Sequence, residues 1–158
     1  MRPKSCYNIL MLYLGADHRG FILKEHLKKY LHTKKIPFVD LGNSILDQED
    51  DFVDFAAKVG EKVAENKTNR GILICGLGVG VCIAANKIKG IRAGQVFSKE
   101  MAMHARKDDD INIVALSADT LREKAAQNII DVFLTTKFRK EERFIRRLNK
   151  IKTLELKW

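Results

Sequence analysis

No run of about 18 apolar residues occurs in this chain of 158 residues, so nothing in it reads as a membrane span. Three cysteines, Cys6, Cys75 and Cys82, are too few and too irregularly spaced for a metal cage or a disulfide framework. A reduced, cytoplasmic setting fits, and neither a metal nor a cofactor is expected. The start, Met1 to Leu12, carries basic residues and a short apolar patch but no small-residue cleavage site, so it does not read as a signal peptide. Met11, where strand-like sequence begins, is a candidate alternative start. Internal repeats and low-complexity segments are absent too. The length suits a single domain over residues 1–158, with a core over about 11–137 and a basic C-terminal helix over about 138–154.

Positive charge is in excess. The formal net charge is +9, and residues 137–158 hold nine basic side chains against three acidic ones, hence +6 of it. A basic terminal helix suits nucleic acid, an acidic surface or phosphorylated small molecules. Only Phe138, Phe144 and Trp158 interleave those charges, which argues against stacking on single-stranded nucleic acid.

Short apolar runs alternate with segments of helical spacing. Strands are expected at 9–14, 36–41, 71–75, 91–97 and 111–116. Helices are expected at 21–31, 52–64, 79–88, 98–107 (with Ser98 as cap), 118–134 and 141–154. That alternation predicts an α/β fold of three layers, α/β/α, around a five-stranded parallel sheet, with an extra C-terminal helix. Ligands of such sheets bind beyond the carboxyl ends of the strands. Asp17 and His18, Asp51, Cys75 and the 98–110 region all fall at such ends.

Residues 71–80 read Gly-Ile-Leu-Ile-Cys-Gly-Leu-Gly-Val-Gly. A buried strand ends in Cys75, glycines follow at 76, 78 and 80, and a helix begins. Glycines let backbone approach a ligand closely, and the N–H groups of a first helical turn point at an anion. The positive end of a helix favours thiolate over thiol. The local chemistry is that of an anionic substrate beside a nucleophile or base. The spacing G-x-G-x-G at the third strand is not the dinucleotide fingerprint, which needs G-x-G-x-x-G after a strand. Read alone, the turn also fits a ligand-free strand-to-helix connection, and Cys75 a small buried hydrophobe. Arg143, Arg146 and Arg147 share one helix face, either solvated or phosphate-binding.

Five segments together resemble the ribose-5-phosphate isomerase B family, which includes the galactose-6-phosphate isomerase subunits. They are Gly15-Ala-Asp-His-Arg-Gly-Phe-Ile-Leu-Lys24, Asp51-Phe-Val-Asp-Phe-Ala56, residues 71–80, Ala84-Ala-Asn-Lys-Ile-Lys-Gly-Ile-Arg-Ala93 and Asp110-Ile-Asn-Ile-Val114, in that order. The resemblance covers roughly residues 11–152. It implies a Rossmann-like sheet and a homodimer with active sites shared between subunits, with a tetramer also open. It further implies metal-free aldose–ketose isomerisation of a phosphorylated sugar. It assigns Cys75 as the base between C1 and C2, and Gly76, Gly78 and Gly80 as the cradle of the enediolate. Asp17 and His18 match residues that hold the sugar and its phosphate, Asp51 a polar contact, and Arg143 and Arg147 a phosphate-binding pair. Asp108 stands where the family has its ring-opening His, and Asp109 follows it at the binding site. Leu77 replaces a Thr or Ser, Phe52 a Tyr, and Asp119 an Arg. The expectation is interconversion of ribose 5-phosphate and ribulose 5-phosphate. Another phosphosugar, or sugar-phosphate binding without turnover, is the alternative.

Overall fold

The structure is a computed structural model that describes residues 11–157. Cys6, the first two residues of the expected first strand (Ile9 and Leu10) and Trp158 lie outside the described residues. Five strands and six helices alternate: β1 (Leu12–Ala16), α1 (Phe21–Thr33), β2 (Phe38–Asp40), α2 (Phe52–Ala64), β3 (Arg70–Cys75), α3 (Val79–Ala85), β4 (Ala93–Gln95), α4 (Lys99–Asp109), β5 (Ile113–Ser117), α5 (Glu123–Thr135) and α6 (Glu142–Glu155). Every strand pairing is parallel, in the order β2-β1-β3-β5-β4.

The two-residue period of the central strands decides the layers. Leu14, Ile72, Ile74, Val114 and Leu116 pack with Leu27 of α1, Ala102 of α4 and Ile129 and Phe133 of α5. Leu73, Cys75, Ile113 and Ala115 face the other way, onto Ala56, Val59 and Val63 of α2 and Val81 and Ala85 of α3. Both faces are covered, so these strands read as continuous apolar runs. Burying one such Leu or Ile contributes about 1.5–3 kcal/mol.

α5 starts at Glu123, not near residue 118, for a local reason. The N–H groups of Ala118 and Asp119 donate to the carbonyls of Cys75 and Gly76, which prolongs the β3–β5 pairing past the end of β5. α3 stops at Ala85, because Lys87 and Ile88 turn back onto Ala84 and Ala85. The chain then reaches Gly90 at φ +84°. α6 buries only Phe144. The guanidinium groups of Arg139, Arg143 and Arg147 gather on that ring, 4.4, 4.6 and 5.5 Å from its centre. Ile145, Ile151, Leu154 and Leu156 stay exposed.

Candidate active site

The strand order reverses beside β1. β2 lies on one side of it, and the rest of the sheet extends from β3 on the other. A crevice opens at such a switch point, outside the carboxyl ends of the strands. Asp17, His18 and Arg19 follow β1 there, and the Cys75 turn follows β3.

Cys75 is buried at the last position of β3, opposite Ser117 of β5. Its Sγ accepts the Gly78 N–H at 3.1 Å. Gly78 sits at φ +79°, in the left-handed region that glycine tolerates without cost. The turn is tied from three sides. The Ser117 hydroxyl donates to the Gly76 carbonyl at 2.8 Å, the Asp119 N–H donates to it at 3.0 Å, and Gln95 Nε2 donates to the Leu77 carbonyl at 2.6 Å. Phe52, the first residue of α2, lies so close to Gly80 that a Cβ there would sit 2.8 Å from the ring. The structure thus brings Cys75, Gly76, Gly78 and Gly80 into one rigid turn, with the Leu77 side chain facing solvent.

Asp17 is buried and accepts the Gly20 N–H at 3.0 Å, which pins the turn that carries His18 and Arg19. His18 Nδ1 lies 2.8 Å from Asp50 Oδ1, and the same oxygen accepts the His18 backbone N–H at 2.9 Å. The Asp50 hydrogen bond is the main cause holding the imidazole above its ordinary 6.5; partial burial opposes it. Asn43 Nδ2 donates to the second Asp50 oxygen at 3.0 Å. His18 Nε2 has no partner among the described residues. Asp51, the acid singled out in the sequence, is instead exposed at the N-cap of α2.

The other expected site residues occupy the opposite pole. α4 leaves the carboxyl end of β4 and returns to the amino end of β5. Asp110, just past α4, is gripped there by Arg92 ahead of β4 and by Arg106, at 2.9 and 2.7 Å. Asp108 pairs with Arg139 at 2.5 Å and faces His104 Nδ1 at 3.4 Å. Arg143 and Arg147 share the Phe144 ring with Arg139. Asp109 borders a groove of about 1100 Å³ beside β4, with Gln95, Met101, Ile151, Leu154 and Leu156. The length of β3, about 17 Å at 3.3 Å per step, separates this group from Cys75 within one chain. Among the described residues no three His, Cys, Asp or Glu side chains are grouped as metal ligands. No helix among them is long and apolar enough to cross a membrane.

Sequence reasoning passed over four charged residues of note. Asp50 is one place before the acid singled out, within a polar loop that carries no periodicity. Arg19 and Lys24 lie inside the first motif. Lys24 is wholly buried, donating to Asp40 at 2.5 Å and to the Asn43 carbonyl at 2.8 Å. Its place beside Leu23 and one turn before Leu27, on the buried face of α1, was the available signal. Arg139, in the segment before α6, had none.

A family described as Ribose/Galactose Isomerase matches residues 12–151 of the chain. A probable ribose-5-phosphate isomerase B of Mycoplasma genitalium is 42% identical over 141 residues, 89% of this chain and 92% of that protein. A D-erythrulose-4-phosphate isomerase of Pectobacterium atrosepticum is 33% identical over 130 residues, 82% of this chain and 86% of that one. The crystal structure of ribose-5-phosphate isomerase B from M. genitalium with bound ribulose-5-phosphate superposes with a TM-score of 0.90 at 39% identity, covering 95% of this chain and 99% of that one.

Proposed function

The chain belongs to the ribose/galactose isomerase family, and on that premise we propose that it interconverts ribose 5-phosphate and ribulose 5-phosphate. The observation that carries this reading is the buried Cys75, with the Gly78 N–H on its sulfur, in the switch-point crevice beside the His18–Asp50 pair. The Cys75 thiolate takes the C2 proton of the open-chain aldose. Negative charge moves to O1 as the enediolate forms. The backbone N–H groups of the 76–80 turn stabilise that oxygen, because they are held in place before charge develops. The S–H then gives its proton to C1, and the O2 proton passes to O1, leaving the ketose and the thiolate. Asp17 and His18 hold the sugar and its phosphate, His18 best as the imidazolium that Asp50 favours.

Ring opening needs a proton donor and acceptor, and the candidates, Asp108 with His104, lie a sheet-length from Cys75. The reading therefore includes a homodimer in which each copy lends Asp108, Asp109, Arg143 and Arg147 to the other's crevice. Exposed Leu77, Phe97 and Met101 and the groove beside β4 supply the apolar surface for it. Replacing the usual His by Asp108 costs general acid help, typically about 10²–10⁴-fold in rate. A second phosphosugar is favoured by one observation: a relative at 33% identity is named as an isomerase of a four-carbon sugar phosphate.

The test is proton NMR of ribose 5-phosphate with the protein in D₂O. Ribulose 5-phosphate with deuterium at carbon supports the enediolate route. No product and no exchange, with this sugar or with erythrulose 4-phosphate, refutes turnover.

A further inference from the structure

The mechanism above leaves Arg19 unused, although its guanidinium packs against the Cys75 turn. Its guanidinium fills the space that any side chain at position 76 would need. A Cβ on Gly76 would lie 2.5 Å from Cζ, 2.6 Å from Nε and 2.8 Å from Nη1. Nη2 donates to the Asp119 carboxylate, and that is the arginine's one hydrogen bond among the described residues. The Asp119 N–H in turn donates to the Gly76 carbonyl. The arginine therefore spans the ends of β1, β3 and β5 at the mouth of the crevice.

This pair is poorly placed to hold the fold together. Its side chains are 55% and 35% exposed, and an ion pair so open to water contributes little to stability. It is well placed to meet an anion. A guanidinium carries five N–H donors in a planar fork that fits phosphate or carboxylate, and four are unspent here. Behind it lies a cavity of about 510 Å³ whose lining includes His26, Arg122 and Lys124, with Glu123 paired to His26. Arg19, Arg122 and Lys124 outnumber Glu123 in that lining, so the potential beside the guanidinium favours an anion. The Arg122 side chain lines the same cavity and has no hydrogen bond or ion pair among the described residues, whereas Arg143 and Arg147 are at the far pole of the same chain.

The geometry points to Arg19 as the arm that binds the substrate phosphate, with Asp119 as its parking residue. In the empty site Asp119 holds the guanidinium against Gly76. When a phosphosugar enters, the fork turns from one carboxylate oxygen to the phosphate oxygens, and no backbone needs to move. Asp119 is then a positioning residue that competes with the ligand. This inference rests on the isomerase reading and adds to it a residue that fixes how tightly phosphorylated sugars are held.

The experiment compares wild type, Arg19→Ala, Arg19→Lys, Asp119→Asn and the swap Arg19→Asp/Asp119→Arg, all as full-length protein. The readouts are kcat and KM on ribose 5-phosphate and the inhibition constant of inorganic phosphate. Loss of a charge-assisted hydrogen-bonding fork predicts that Arg19→Ala raises KM and the phosphate constant by about 10–100-fold while kcat stays within about 3-fold. Arg19→Lys falls between. Asp119→Asn removes the competitor and tightens phosphate. The swap puts a cation back across the same pair and recovers much of the lost affinity. Unchanged KM and phosphate affinity in a folded Arg19→Ala protein overturns the inference, as does weaker phosphate binding in Asp119→Asn. If wild type turns over no phosphosugar, the isomerase reading fails separately. Phosphate titration of the Arg19 Nε–H signal by NMR then decides this inference alone: a saturable shift lost in Arg19→Lys supports it, and no shift overturns it.

Discussion

Gly78 and Gly90 offer a controlled measurement of how tightly the Cys75 turn is built. Both have positive φ, +79° and +84°. A Cβ on Gly90 would meet nothing within 4 Å, whereas one on Gly78 would lie 3.0 Å from the Leu116 carbonyl carbon and 3.1 Å from its oxygen. Left-handed backbone costs an alanine about 1–2 kcal/mol. Loss of unfolded-chain freedom returns about 0.4–1 kcal/mol. Gly90→Ala should therefore cost about 1.5 kcal/mol or less. Gly78→Ala bears the same strain plus overpacking against β5, a central strand that cannot retreat, worth about 1–3 kcal/mol more. The expected loss is about 2–4 kcal/mol, or roughly 5–15 °C in Tm for a chain of this size. Urea unfolding of both variants gives the difference directly. The same shift should lengthen the Gly78 N–H contact to Cys75 Sγ and change the rate at which iodoacetamide alkylates Cys75, read peptide by peptide. Equal losses in the two variants, within about 0.5 kcal/mol, would refute the claim that packing against Leu116 fixes this turn.

Three further outcomes follow from the geometry. Cys75→Ala should abolish C2–H exchange in D₂O and leave thermal unfolding close to wild type; retained exchange removes Cys75 from the chemistry. Asp50→Asn should lower the His18 pKa. The wild-type value lies above the ordinary 6.5, chiefly through the Asp50 hydrogen bond, so the pair's contribution to stability is full below 6.5 and fades as pH rises through the folded value. Phosphate binding should weaken over the same rise, and NMR titration of the imidazole in both proteins checks it. Lys24→Met should cost about 2–3 kcal/mol, below the usual range for a broken buried pair, because Asp40 keeps Lys28 at 2.8 Å and the Gly42 N–H at 2.9 Å. Burial pushes the Asp40 carboxyl up, but hydrogen bonds from Lys24 and Lys28 outweigh it and hold it below 3.8. That contribution is present above 3.8 and lost as pH falls through the depressed value. The gap between Lys24→Met and wild type, measured by urea unfolding, should close in strong acid.

Sequence periodicity located α2 and α6 through their one-sided burial, and β3 through its continuous apolar run. α2 runs over Phe52–Ala64 as its apolar spacing requires, and Ser98 accepts the Met101 N–H at 3.1 Å as an N-cap should. Boundaries slipped where backbone bonds from another strand intervene, as at Ala118 and Asp119, because no local pattern encodes them. In the crevice, the glycine turn was legible from the order of residues 71–80, an apolar run followed by glycines at alternate positions. Asp50 was not, because an acidic loop offers several carboxylates and only the fold chooses which one reaches His18. Asp108 was placed with Cys75 although the one ends a helix and the other a strand, and in a parallel sheet those two ends lie at opposite poles.

That strand order also has a consequence for biosynthesis. Among the described residues β4 pairs only with β5, and β5 lies between β3 and β4 although it is the last strand made. A nascent chain that has emerged only as far as Lys107 holds Cys75 and its glycines, yet the edge of β3 that β5 will cover is bare and β4 has no neighbour. The Ser117 hydroxyl and the Asp119 N–H that fasten Gly76 arrive only with the final strand. The Cys75 turn is thus fastened only when the last strand is in place, and a chain truncated at Lys107 carries that thiol without the bonds that hold its turn.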